Sequence, residues 1–162
     1  MDSLNAPQII EHVNQSVSYT PFDIKWIPCS AKFIVAGQTP RAKGIIQIFQ
    51  MNQGKLDLVT EFIKDSGFKS SSFGASSFTN RELAVGDYDG YLSILDLEKG
   101  EPSFKVKAHK SIINCIDGIG GTGNIGPAEI ITAGRDGNYT NKKLLMFYNY
   151  VFQVLLYNYK KM

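Results

Sequence analysis

The 162-residue sequence contains only two cysteines, Cys29 and Cys115. They lie far apart and without metal-ligand spacing, so neither a disulfide framework nor a zinc site is expected. The start, MDSLNAPQIIEH, lacks a basic region followed by an apolar run. It therefore reads as carrying no secretory signal, and a cytoplasmic protein is expected. Long hydrophobic runs are also missing. The best candidate, residues 144–157, includes Asn149 and Gln153 and falls short of the about 20 apolar residues a membrane span needs. No segment before residue 138 shows a helical period. Strong charge of either sign is absent from the body of the chain. The net charge is +2, but residues 138–162 carry four lysines and no acid, which leaves 13 basic against 15 acidic residues elsewhere. A near-neutral body gives no electrostatic footprint for nucleic acid.

What the sequence does have is glycine and short apolar runs. All 15 glycines precede residue 138. Segments of five to eight residues with period-two alternation are separated by Gly, Asp, Asn or Ser clusters, as in strands joined by tight turns. The spacing predicts strands at 23–28, 32–37, 44–51, 55–62, 69–75, 82–87, 90–97, 103–108, 113–119 and 128–134, with a further one at 7–16. The Asp-Gly pairs 89–90 and 136–137 predict type I′ hairpins, in which both central residues have positive φ. An all-β fold follows.

The strands repeat. Asp89 lies 47 residues before Asp136, and each follows an apolar run and a glycine (LAVGDYDG, IITAGRDG). A looser copy occurs earlier, IVAG at 34–37 against LAVG at 83–86, and GIIQIF at 44–49 against GYLSIL at 90–95. Three units of about four strands at this period describe propeller blades. The first unit takes 23–51, the second begins with 55–62, and the third begins with 103–108. Residues 138–162 hold five of the eight tyrosines and no Gly, Ser, Ala, Pro or acid. The division expected is therefore an amino-terminal segment with a ring-closing strand (1–17), a partial propeller (18–137) and an atypical Tyr/Asn/Lys/Leu-rich tail (138–162).

AHKSIINCI (108–116) and IITAGRDG (130–137) resemble the signature of the WD-repeat family of β-propellers, with Ala-His in place of the usual Gly-His. The resemblance implies an incomplete WD-repeat propeller of about three blades, the third truncated. It also implies a buried hydrogen-bonded tetrad of His, Ser or Thr, turn Asp and Trp. His109, Thr132 and Asp136 occupy its first three positions, while the Trp position falls in TNKK. Asp89, Gly90 and Gly137 are the matching blade-turn residues. Unit two has Val85 at the Ser/Thr position and no His, so its tetrad is absent. The run Ile113-Asn114-Cys115-Ile116-Asp117-Gly118-Ile119-Gly120-Gly121, with the rest of residues 7–137, is similar to the dynein-arm assembly factors of that family. That similarity implies a non-catalytic interaction scaffold in the cytoplasm, an adaptor between a prefoldin-like co-chaperone complex and dynein heavy chains. Modulation of apoptosis comes with the same resemblance. Nucleic acid and membrane spanning are not expected.

Other readings compete with these. Gly118-Ile119-Gly120-Gly121-Thr122-Gly123 satisfies G-x-G-x-x-G and could mark a nucleotide-binding enzyme, but the pattern needs a helix to follow it. Here Pro127 and a β-branched run follow, so a loop is expected and no cofactor. His109 could act as a general base, yet as a tetrad member it is structural. Trp26 reads as a core or blade-packing aromatic, and His12 as a surface residue of the first strand. The chain could instead be a truncated or mis-spliced product without independent function, its tail translated from an intron.

Overall fold

The computed structural model describes residues 11–121, 127–143 and 155–157. No helix occurs among the described residues, and none is long and apolar enough to cross a membrane. The strands form three antiparallel four-stranded sheets, each laid down in chain order and none closed on itself. The first holds β1 (Thr20–Trp26), β2 (Lys32–Gln38), β3 (Gly44–Asn52) and β4 (Lys55–Lys64). The second holds β5 (Phe68–Ser72), β6 (Leu83–Asp87), β7 (Tyr91–Leu95) and β8 (Pro102–Lys107). The third holds β9 (Ile113–Ile119), β10 (Glu129–Gly134), β11 (Tyr139–Lys143) and β12 (Leu155–Tyr157). The sheets stack in sequence, β1 and β2 against β5, then β5 and β6 against β9. This is an incomplete, propeller-like all-β fold.

Strand position explains the sequence pattern. β2 and β6 lie inside their sheets and are covered on both faces, so they read as continuous apolar runs, FIVAG and LAVG. β4 and β8 are end strands and alternate in exposure. Ile34, Ala36, Ile46, Ile48, Leu83 and Val85 fill the layer between the first two sheets. Ala84, Leu92, Ile94, Ile113, Ile116 and Ile130 fill the next.

Three expectations change. First, 55–62 and 103–108 close the first and second sheets as β4 and β8 instead of opening the second and third. The tight Gln53-Gly54 turn joins β4 to β3, and a sheet edge pairs most readily with the strand that hairpins onto it. Second, that Gln53-Gly54 turn has positive φ at both residues, 44° and 80°, as a type I′ turn requires. At the Asp-Gly pairs only the glycines do, Gly90 at 82° and Gly137 at 75°. Each is a three-residue loop in which the glycine amide donates to the carbonyl three residues earlier, Asp87 or Gly134. Such a loop closes with a left-handed residue, so Asp in the middle keeps ordinary φ. Third, residues 11–17 form no strand, so His12, exposed as expected, lies in an irregular segment. The remainder of the expected strand at 7–16 lies outside the described residues. Two pieces of the 138–162 segment, β11 and β12, pair into the third sheet.

Candidate functional site

His109 sits in the connection from β8 to β9. The amides of Ala108 and His109 both donate to the Gly90 carbonyl, at 3.0 Å each, which fixes the connection against the β6–β7 turn. The imidazole then points into the third sheet, where its ring is wholly buried. Nδ1 lies 3.0 Å from Asp136 Oδ1, and Nε2 lies 2.9 Å from Thr132 Oγ1. An ionised carboxylate only accepts, so Nδ1 carries the proton toward Asp136. In the neutral ring, Nε2 accepts from the Thr132 hydroxyl.

Asp136 is held from several sides. Its Oδ2 accepts the Lys110 amide at 2.9 Å and its Oδ1 accepts the Asn138 amide at 3.2 Å. The Lys110 amide, more than burial can offset, holds the carboxyl well below its ordinary range, and Asn138 and His109 add to it. Gly134 leaves room for this network, since a methyl there would lie 2.4 Å from His109 Nδ1.

The structure thus brings His109, Thr132 and Asp136 together; the side chains at 140–143, where the fourth tetrad position falls, lie outside the description. Hydroxyl, imidazole and carboxylate stand in the order of a nucleophilic triad. A nucleophile must reach a substrate, however, and Thr132 is 1% exposed. What the arrangement can do is fasten the β8–β9 connection to the β10–β11 hairpin.

Asp89 and Gly90 occupy the corresponding turn of the second sheet, but the carboxylate that holds this turn belongs to Asp87. Asp87 is buried and its Oδ1 accepts the Tyr91 amide at 2.7 Å. Burial pushes its carboxyl above the ordinary range, against the lowering effect of that amide. Asp89 is exposed, and its carbonyl receives the Lys107 ammonium.

Sequence reasoning missed two further polar links. Asp23 Oδ2 accepts both the amide and the hydroxyl of Ser71, at 2.6 and 2.8 Å, and so joins β1 to β5. Tyr19 donates to Gln47 Oε1 at 3.0 Å, and Gln47 donates to Glu61 Oε2 at 2.6 Å. Burial first, then the Glu61 charge, push the Tyr19 phenol up to about 12. Neither link has a sequence signal, because each joins residues whose contact depends on sheet packing or cross-strand register. The glycine-rich run splits. Gly118 belongs to β9, and Gly121 donates to the Gly74 carbonyl at 3.1 Å. The described chain resumes at Pro127 and enters β10, a strand. Trp26 is 59% exposed, edge-on to Phe33 at 5.3 Å, because among the described residues no second sheet lies on that face of the first sheet, where Val17 packs only against the cluster of Phe33, Val35 and Phe49.

Three stacked four-stranded meanders with this network at a β–β turn set the terms for comparison with known proteins. The chain is similar to proteins named Dynein axonemal assembly factor 10. The protein of that name from Xenopus laevis is 49% identical over 136 residues, which is 83% of this chain and 38% of the relative. The human protein is 48% identical over 139 residues, 85% of this chain and 39% of its own length. The one from Chlamydomonas reinhardtii is 43% identical over 139 residues, with the same shares. This chain therefore spans about two-fifths of the length of each Dynein axonemal assembly factor 10 it matches. No family model matches it.

Proposed function

We propose that this chain is a non-catalytic protein-interaction scaffold that takes part in assembling axonemal dynein in the cytoplasm. The observation that carries the proposal is its 48–49% identity over 83–85% of its length to the frog and human proteins named Dynein axonemal assembly factor 10. The burial of Thr132 supports it, since a hydroxyl–imidazole–carboxylate set closed off in this way serves a fold better than a reaction. His109, Thr132 and Asp136 then form a structural tetrad with its fourth member unassigned, and Asp89, Gly90 and Gly137 shape blade turns. In this role the chain joins a prefoldin-like co-chaperone complex to dynein heavy chains.

The test is a pull-down with purified components, in which immobilised chain is offered the co-chaperone complex and a dynein heavy-chain segment. Retention of at least one is expected. If a full-length Dynein axonemal assembly factor 10 retains both and this chain retains neither, the proposal fails. The reading as a product without independent function then takes its place. Equilibrium dialysis with ATP and NAD is expected to show no binding, and binding would revive a nucleotide site at 118–123.

A further inference from the structure

The three sheets share one register at their first two strands. In each, the first strand shifts register once against the second, and the next pairs are Asp23 with Ala36, Ser70 with Gly86, and Cys115 with Ala133. The pair after it is Ile24 with Val35, Ser71 with Val85, and Ile116 with Thr132. These two positions face opposite ways along the stack. Asp23 reaches forward to Ser71 of the second sheet, and the Ser70 hydroxyl reaches forward to the Ile113 carbonyl of the third, at 3.5 Å. The following position faces backward, and where a preceding sheet exists it is covered: Ser71 is 1% exposed and Ile116 8%.

Both ends of the stack leave the same contact half made. Ile24, the backward position of the first sheet, is 61% exposed, and Trp26 beside it is also open. They line an apolar groove of about 760 Å³ with Phe33, Val35 and Phe49 of the same sheet, and Val13 and Val17 of the amino-terminal segment border it while leaving Ile24 and Trp26 open. Cys115, the forward position of the third sheet, is exposed. Ile119 and Ile131 lie open on the same face. Each end thus carries one side of the sheet-to-sheet contact made twice within the chain, and both sides present apolar side chains, Ile24 and Trp26 at one end and Ile119 and Ile131 at the other.

We propose that a second copy of this chain covers the groove, the third sheet of one copy packing on the first sheet of the next in the register of the internal contacts. That register places Cys115 of one copy beside Ile24 of its neighbour, as Asp23 lies beside Ser71. Contacts between unlike faces close into a ring where the rotation permits and otherwise extend. Either assembly satisfies the proposal.

The experiment uses the whole chain with Cys29→Ser and Ile24→Cys, oxidised by diamide. The substituted position is on the surface, so folding is preserved. The expected result is disulfide-linked dimers or ladders on a non-reducing gel. They should vanish when Cys115→Ser is added and fall roughly tenfold or more with Trp26→Lys, as for a buried aromatic anchor. Sedimentation of the unsubstituted chain should show mass rising with concentration. A monomer throughout, an internal disulfide at monomer mass, or Cys115-to-Cys115 linkage without Ile24→Cys would each overturn the proposal. The last of these would show like faces pairing.

Discussion

At the β6–β7 turn the carboxylate that holds the loop belongs to Asp87, whereas at the β10–β11 turn it belongs to Asp136, two positions later in register. Both loops have three residues and end in a left-handed glycine. What separates them is the imidazole. In the third sheet His109 takes the space beside the turn, and Gly134 stands where the second sheet has Asp87. In the second sheet no histidine arrives, and a cleft of about 130 Å³ lined by Lys64, Ser66 and Asp87 lies there. A histidine with glycine, or an aspartate without histidine, each satisfies the turn. The two solutions exclude one another sterically.

The sharpest way to break this comparison is Gly134→Asp, which places a Cβ 2.4 Å from the imidazole and 2.8 Å from Asp136 Oδ1. It should cost about 3 kcal/mol or more, in the range of a core clash combined with a broken polar network. Adding His109→Gly should recover a good part of that loss by transplanting the second sheet's arrangement. Urea midpoints followed by far-ultraviolet circular dichroism read both, and no recovery would mean that the two turns are not interchangeable.

Gly90 and Gly137 separate turn conformation from packing. A methyl at Gly90 would lie 2.3 Å from the His109 carbonyl oxygen, while one at Gly137 meets nothing within 4 Å. Gly137→Ala should therefore cost only the left-handed penalty, about 1–2 kcal/mol. Gly90→Ala should cost about 1–3 kcal/mol more through overpacking. Equal losses in the same urea titration would show that the approach of the β8–β9 connection is not what requires Gly90.

Thr132 and Val85 are register equivalents with opposite needs. Val85→Thr buries a hydroxyl where no histidine awaits it, and Thr132→Val takes a partner from His109. Each should lower stability by about 1–3 kcal/mol. A His109→Ala and Thr132→Val double-mutant cycle should show coupling of about 1 kcal/mol. Additive losses would place the two side chains out of contact.

The smallest effect is in pH dependence. The Asp136 carboxyl titrates lower in the folded chain than in the unfolded one, so its stabilisation is complete above about pH 4 and is lost as pH falls below that. The Asp87 carboxyl titrates higher when folded, so its ionisation costs stability as pH rises through the window just above about pH 4. Asp136→Asn should flatten the acid side of the stability curve, and Asp87→Asn should flatten the side above it. Denaturation midpoints from about pH 3 to pH 7 check both, and slopes of the same sign would contradict the assignment of the two carboxylates.

Much of the site was legible because it rests on local pattern. IITAGRDG marked the strand and the turn, and the resemblance of this run and of AHK to the WD-repeat signature picked out Thr132 in the strand, Asp136 in the turn and His109 before β9. Asp87 was harder to distinguish from Asp89, because either carboxylate of GDYDG can serve the turn. Which one does depends on whether a side chain from the preceding connection occupies the space. Trp26 read as packed, since its strand is apolar enough for a core, but packing requires a second sheet.

The sequence by itself determined that the described chain is built of strands, where most of them lie, and that they recur in three units. Period-two alternation and glycine punctuation are properties of neighbouring residues and need no partner to be read. Tertiary structure alone decided that β4 and β8 close sheets, that Asp23 binds Ser71, and that equivalent positions are buried at Ser71 and Ile116 but open at Ile24. Those outcomes depend on which sheet, some fifty residues away in the chain, comes to lie against each face.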